Sequence, residues 1–217
     1  MRSRGTVYTV IFTFAVTFVI TLLLSATNSF TAPMAELHGL ERRQRAVLAA
    51  LDVFPESREE VFDAYEQLET FEAEGVRLYS REREEGDSEE LSGRLYAKEF
   101  SGPGVWGPIV GIVSVNSRGE RIFAVEILDQ NETPGLGGRI TEEEFLRQFR
   151  GELVGPEGLT MVPRSPGDYD PDNSSIDGIA GATGTSRAFR SIMNREIETL
   201  RRALEDGSDL SHSADFR

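Results

Sequence analysis

The 217-residue chain contains no cysteine. Disulfides, thiolate zinc sites, iron–sulfur clusters, covalent haem and a cysteine nucleophile are excluded together. Histidine is scarce: His38 and His212 lie near opposite ends of the chain. That disfavours a histidine-based metal cluster or a Ser-His-Asp triad, and no metal site is expected. Lysine occurs once, as Lys98, and 23 Lys and Arg stand against 37 Asp and Glu, a net charge of −14 at pH 7. A nucleic-acid backbone requires a basic face, so no nucleic-acid partner is expected. Acids are missing altogether from residues 1–35, whose only charges are Arg2 and Arg4.

What is present is a globular composition, 39% hydrophobic and 28% charged, at a length suited to one domain with an anchor. Val7–Leu24 (VYTVIFTFAVTFVITLLL) is an 18-residue apolar run interrupted only by Thr and Tyr. About 20 such residues cross a bilayer core as a helix, and Thr can bond its own helix backbone. The rival reading is a cleaved signal peptide, whose apolar region is shorter. With Arg2 and Arg4 before the run and Glu36 the first charge after it, the N-terminus is expected in the cytoplasm and residues 31–217 outside. The expected divisions are a cytoplasmic segment 1–5, a transmembrane helix 6–30, a helical stalk 31–88, a domain over 89–205 and a disordered tail 206–217.

Within the exposed part, Met34–Leu51 reads as a helix with an incomplete apolar stripe. Ser57–Phe71 reads as a second helix, opened by a Ser57/Glu60 capping box. Arg81–Glu90 reads as a loop. Strands are predicted over Arg94–Phe100, Val105–Val115, Arg121–Leu128 and Gly158–Val162, with Asn116–Gly119 as a hairpin turn. Thr141 with Glu144 suggests a helix through Phe149, and Pro163–Asn173 a proline-rich loop. Ser186–Leu204 places Phe189, Ile192, Met193, Ile197, Leu200 and Leu204 on one helix face. The class is α+β, an antiparallel sheet with packed helices.

Three glycine-rich stretches carry the chemistry. Ser101–Pro108 contains Gly102, Gly104, Gly107 and the only tryptophan, Trp106. It is either a close backbone approach to a ligand or a turn with a core Trp. In Glu132-Thr133-Pro134-Gly135-Leu136-Gly137-Gly138, Pro134-Gly135 suits the centre of a type II turn. A tight loop presenting amides and one leucine to a flat ligand would use these glycines; so would an ordinary flexible loop. Asp177-Gly-Ile-Ala-Gly-Ala-Thr183-Gly-Thr-Ser186 runs into the last helix. Its helix-start amides suit a phosphate, but no Lys follows as in a Walker loop. The alternative is a small-residue cap with Thr185 or Ser186 capping.

Asp177–Thr183 resembles the flavinylation motif of FMN-binding domains, Asp-x-x-Ser/Thr-Gly-Ala-Thr. Glu132–Gly137 is similar to the other hallmark of the FMN-binding subunit designated C in the Na⁺-translocating NADH:quinone reductase, and of the one designated G in the related Rnf complex. The N-terminal anchor and the order of all three stretches agree, and Gln130 and Trp106 lean toward the quinone-reductase subunit. The resemblance implies FMN bonded covalently through its phosphate to Thr183 by a Mg²⁺-dependent flavin transferase that takes FMN from FAD. Gly181, Ala182, Gly184, Thr185, Ser186 and Asp177 would surround the phosphate end. Glu132, Thr133, Leu136 and Gly137 would border the isoalloxazine, with Gly104 and Trp106 over another edge. Ala180 departs from the motif, which has Ser or Thr there.

The implied role is an electron-carrying redox subunit in a bacterial inner membrane, incomplete as an enzyme alone, within a complex that moves Na⁺ and links NADH to a quinone such as ubiquinone. Its partners would be integral-membrane subunits, met by the anchor and by residues 34–71. The alternatives are an Rnf-type subunit, a stand-alone extracytoplasmic flavoprotein, and a non-redox, membrane-tethered ligand-binding or sensory module.

Overall fold

In this computed structural model, residues 3–73, 75–83, 93–162 and 167–214 are described. They fall into two compact units, Met1–Arg42 and Arg43–Arg217. Helix α1 (Ser3–Ala50) is long and apolar enough to cross a membrane. In the first unit its hydroxyls return to their own backbone: Thr9 donates to Gly5 O at 2.9 Å, Thr27 to Leu23 O at 2.9 Å and Ser29 to Ser25 O at 2.9 Å. This removes the cost of a polar group on an apolar helix surface.

The second unit is built on a five-stranded antiparallel meander, β1 (Glu69–Ala73), β2 (Val76–Arg83), β3 (Gly93–Pro103), β4 (Pro108–Val115) and β5 (Ile122–Asp129), paired in chain order. Both faces are covered, which explains why β4 is an almost unbroken apolar run rather than an alternating one. On one face Leu78, Phe100, Ile109, Val113 and Val125 pack with Phe145, Phe149, Phe189, Ile192 and Ile197. On the other, Tyr79, Leu95, Ala97, Ile112 and Phe123 pack with Val47 and Ala50 at the end of α1 and with Leu51 just after it. Helix α4 (Thr183–Ala214) supplies most of the first cover, as its apolar stripe predicts.

Further elements follow β5. They are a 3₁₀ turn (Gly137–Thr141), the short α3 (Glu143–Leu146), a second 3₁₀ turn (Arg147–Phe149), and β6 (Thr160–Val162) parallel to β7 (Ser175–Asp177).

Several expectations need correction. The helix opened by Ser57 is α2 (Arg58–Glu66), with Ser57 Oγ accepting from Glu60 N at 3.2 Å; it stops before Phe71. Residues 69–73 are strand, because Phe71 packs edge-on against Tyr96 at 5.8 Å. The region read as a 31–88 stalk therefore contains two strands of the sheet. Thr141 caps nothing: its hydroxyl donates to Gly138 O at 3.0 Å, and Glu142 precedes α3 without a side-chain cap. The strand read from Val105 begins at Pro108, since Gly104 N bonds Gly107 O at 2.8 Å and turns the chain. The tail read as disordered is helical as far as Ala214, and α4 starts three residues before Ser186. Of the two long loops expected from the sequence, residues 84–90 and 163–166 lie outside the described residues.

Candidate functional site

The three glycine-rich stretches meet at one buried carboxylate. Glu132, 4% exposed, follows β5. Its Oε1 accepts the amides of Val105 (2.7 Å) and Trp106 (3.1 Å), and its Oε2 accepts the Thr185 hydroxyl at 2.6 Å. Thr185 is itself buried in the first turn of α4. One side chain thus ties the β3–β4 turn, the loop after β5 and the start of α4. Charge-assisted bonds of this kind are the stronger class. The glycines around it are sterically demanded. A Cβ at Gly104 would lie 2.4 Å from Glu132 Oε1, and one at Gly137 would lie 2.4 Å from Thr185 Oγ1.

The loop bearing Glu132 closes on itself. Gln130 Oε1 accepts Glu132 N at 2.6 Å, and Thr133 O accepts Leu136 N at 3.1 Å and Gly138 N at 3.0 Å. Gly135 has φ 74°, as the third residue of a type II turn requires. Leu136 is exposed and lies beside Gly181, where a Cβ would be 3.3 Å from its Cδ2.

The turn leading to α4 is held from beneath by two buried side chains. Gln148 acts as a substitute strand neighbour for Asp177: its Oε1 accepts Asp177 N at 3.1 Å and its Nε2 donates to Asp177 O at 3.2 Å. Ser186 Oγ accepts Ile179 N and donates to Ala182 O, both at 3.0 Å. Ser186 therefore latches the turn rather than capping the helix, and Thr185 is engaged with Glu132, so neither fills the capping role. The first intrahelical bond is Ser186 N to Ala182 O at 3.0 Å, which leaves the amides of residues 183–185 without an intrahelical acceptor. Near the base of β7, burial pushes the Glu152 carboxyl up to about 7, while the Ser175 amide bonded to its Oε1 at 3.0 Å opposes that rise.

The outward face is different. Ala180, Gly181, Thr183 and Gly184 are exposed. So are Val105 (51%), Trp106 (72%) and Leu136 (43%). Val105 borders the helix start, because a Cβ on Gly184 would lie 3.1 Å from its Cγ2. Trp106 is therefore not a core residue, and apolar surfaces from two loops flank the Thr183 turn. Arg187 is exposed one turn along α4, on the face that Thr183 occupies.

Of the residues singled out in the sequence, Gly104, Trp106, Glu132, Gly137 and Thr185 converge on the carboxylate, and Leu136, Gly181, Thr183 and Gly184 form the outer face. Asp177 and Ala182 are buried beneath the turn, and Thr133 contributes its carbonyl. Val105, Gln148 and Arg187 were not singled out. Val105 could have been found from its place beside Trp106, and Arg187 from its spacing to Thr183. A glutamine among charged residues carries no such signal. Among the described residues, no group of three or more His, Cys, Asp or Glu side chains is arranged to hold a metal ion.

Residues 104–198 match the FMN-binding domain family. The subunit designated C of the Na(+)-translocating NADH-quinone reductase of Chlamydia pneumoniae is 29% identical over 180 residues, 70% of this chain and 56% of that protein. The subunit designated G of the ion-translocating oxidoreductase complex of Stutzerimonas stutzeri is 34% identical over 111 residues, 49% of this chain and 46% of that protein. The chain thus spans about half the length of these curated relatives. The fold is shared with the crystal structure of the Na(+)-translocating NADH-quinone reductase subunit, again the one designated C, from Parabacteroides distasonis. The TM-score is 0.62 at 20% identity, covering 79% of this chain and 95% of that one. Shewanella oneidensis NqrC gives 0.60 and 20%, over 75% and 95%. The family resemblance and fold class read from the sequence are both borne out.

Proposed function

We propose, taking the match of residues 104–198 to the FMN-binding domain family as the premise, that this domain carries FMN bonded through its phosphate to Thr183 Oγ1. The chain then serves as a membrane-anchored electron carrier in an ion-translocating NADH:quinone oxidoreductase. The observation that supports this best is the setting of Thr183: an exposed hydroxyl at the start of a long helix, between the exposed side chains of Val105, beside Gly184, and Leu136, beside Gly181.

The residues present suit such a group. The amides of residues 183–185 and the positive end of α4 favour a phosphate on Thr183. Arg187 is placed to add a cationic partner from the next turn. Val105, Trp106 and Leu136 offer apolar surface to a flat ring system. Exposed Ala180 and Gly181 keep the approach to the hydroxyl uncrowded. Attachment replaces the Thr183 hydroxyl proton with the flavin phosphoryl group, with FAD as donor and AMP as leaving group. The bound flavin supplies the redox chemistry; the protein positions it and shields one side of it from water.

Helix α1 serves as the anchor, with the N-terminus cytoplasmic and the second unit periplasmic, on the asymmetry of Arg2 and Arg4 against Glu36. The partners are membrane subunits of the complex, and a flavin transferase matures the protein. The Stutzerimonas stutzeri relative supports a second reading, a subunit of an Rnf-type complex. Co-expression with a flavin transferase, followed by a denaturing gel under ultraviolet light, tests the cofactor. A fluorescent band lost in Thr183→Ala is expected. A dark wild-type band beside a fluorescent flavinylated control would overturn the reading.

A further inference from the structure

We propose that Glu132 is a positioning residue, a buried clasp that fixes the Trp106 turn against the first turn of α4 and so sets the apolar wall beside Thr183. This rests on reading the outer face as the flavin site. The sequence resemblance placed Glu132 beside the isoalloxazine, but its surroundings favour a different role. The side chain is 4% exposed, and both of its oxygens accept bonds from the protein. The two amides it holds are those of Val105 and Trp106, whose side chains are exposed and belong to neither core cluster. Its other oxygen is held by Thr185, two residues beyond Thr183 on the same helical turn.

The clasp is built for one geometry. Gly104 and Gly137 leave no room for a side chain on either side of the carboxylate. Gln130 fixes the Glu132 amide at 2.6 Å, so the backbone beneath the clasp is also set. Losing the Thr185 hydroxyl leaves Oε2 buried against an apolar group. The carboxylate then gains by swinging toward water and abandoning the two amides. The Trp106 turn and the helix start are coupled through this single side chain, and a group carried on Thr183 meets a wall already in place.

Trp106 is the only tryptophan, so its emission reports on the turn without any flavin present. The test uses the full chain in detergent, made without a flavin transferase, and measures Trp106 anisotropy and acrylamide quenching beside a thermal melt. Thr185→Val is expected to lower the anisotropy and raise the quenching while the melt stays cooperative, and Thr185→Ser to restore both. Glu132→Ala is expected to match Thr185→Val, and Glu132→Gln, which keeps an acceptor for the two amides, to lie close to wild type. Unchanged anisotropy in Thr185→Val would overturn the clasp, whatever happens to the melting temperature. If Glu132→Ala does not fold, Thr185→Val decides alone. Because no flavin enters the measurement, a dark band in the gel experiment and a failed clasp are separate results.

Discussion

In the proposed site Thr183 offers an exposed hydroxyl and Glu132 a buried carboxylate. The space between them and their neighbours is filled to contact, so small changes in volume are felt. Gly137→Ala places a methyl 2.4 Å from Thr185 Oγ1 and 2.8 Å from Glu132 Oε2. Overpacking of this kind costs about 1–3 kcal/mol. The substitution is expected to lower the urea midpoint without changing the slope, and to loosen the Trp106 turn. An alanine at Gly135, where a Cβ would meet nothing, strains only the backbone (φ 74°) and should leave the clasp intact. Equilibrium unfolding of the two variants side by side checks this.

At the scale of elements, the parts with strong periodicity were legible. The β4–β5 hairpin, the Asn116–Gly119 turn and the apolar face of α4 could be read because burial on one or both faces dictates residue type over many positions. The α2–β1 boundary was not legible. Helix-forming Glu and Ala run through it, and the strand exists because Phe71 meets Tyr96, a contact remote in sequence. The three glycine-rich stretches were legible as a set, but which of their residues face inward was not. Exposed Trp106 and buried Glu132 reverse ordinary expectation, and their placement depends on bonds between loops.

Gln148 is the clearest case of a residue hidden from sequence reading. Gln148→Leu removes both bonds to the Asp177 backbone and strands buried peptide groups, at about 1–3 kcal/mol. Thermal unfolding is expected to show that loss, with α4 retained by circular dichroism. On helix α4, Arg187→Glu replaces a cation one turn from Thr183 with an anion. It is expected to slow the appearance of the fluorescent band several-fold without altering the melting temperature, read from a time course with purified transferase.

For the whole molecule, the charge is lopsided. Residues 1–35 carry two arginines and no acid, and the remainder has all 37 acidic residues against 21 basic ones. Such a charge balance opposes reversible capture of a free anionic flavin, which fits the covalent attachment proposed above. Stability also carries an acidic signature. Burial raises the Glu152 carboxyl from 4.5 to about 7, and that of Glu126 in the same direction. A carboxyl whose folded value lies above its unfolded one favours folding only while protonated. The cost of ionising Glu152 is absent below about pH 4.5, grows between about 4.5 and 7, and is constant above that. Glu152→Gln keeps an acceptor for the Ser175 amide and removes this cost. It is expected to raise the melting temperature at pH 8 and to change it little at pH 4.5, by calorimetry at the two values.

The proposal turns on Thr183 as the residue that holds the flavin. Its most direct measurement is mass spectrometry of the intact protein and its proteolytic fragments after co-expression with a flavin transferase. An added mass of one FMN less one water is expected on the fragment containing Thr183 and on no other, and is expected to be absent from Thr183→Ala. An unmodified Thr183 fragment, or flavin on any other residue, would contradict it.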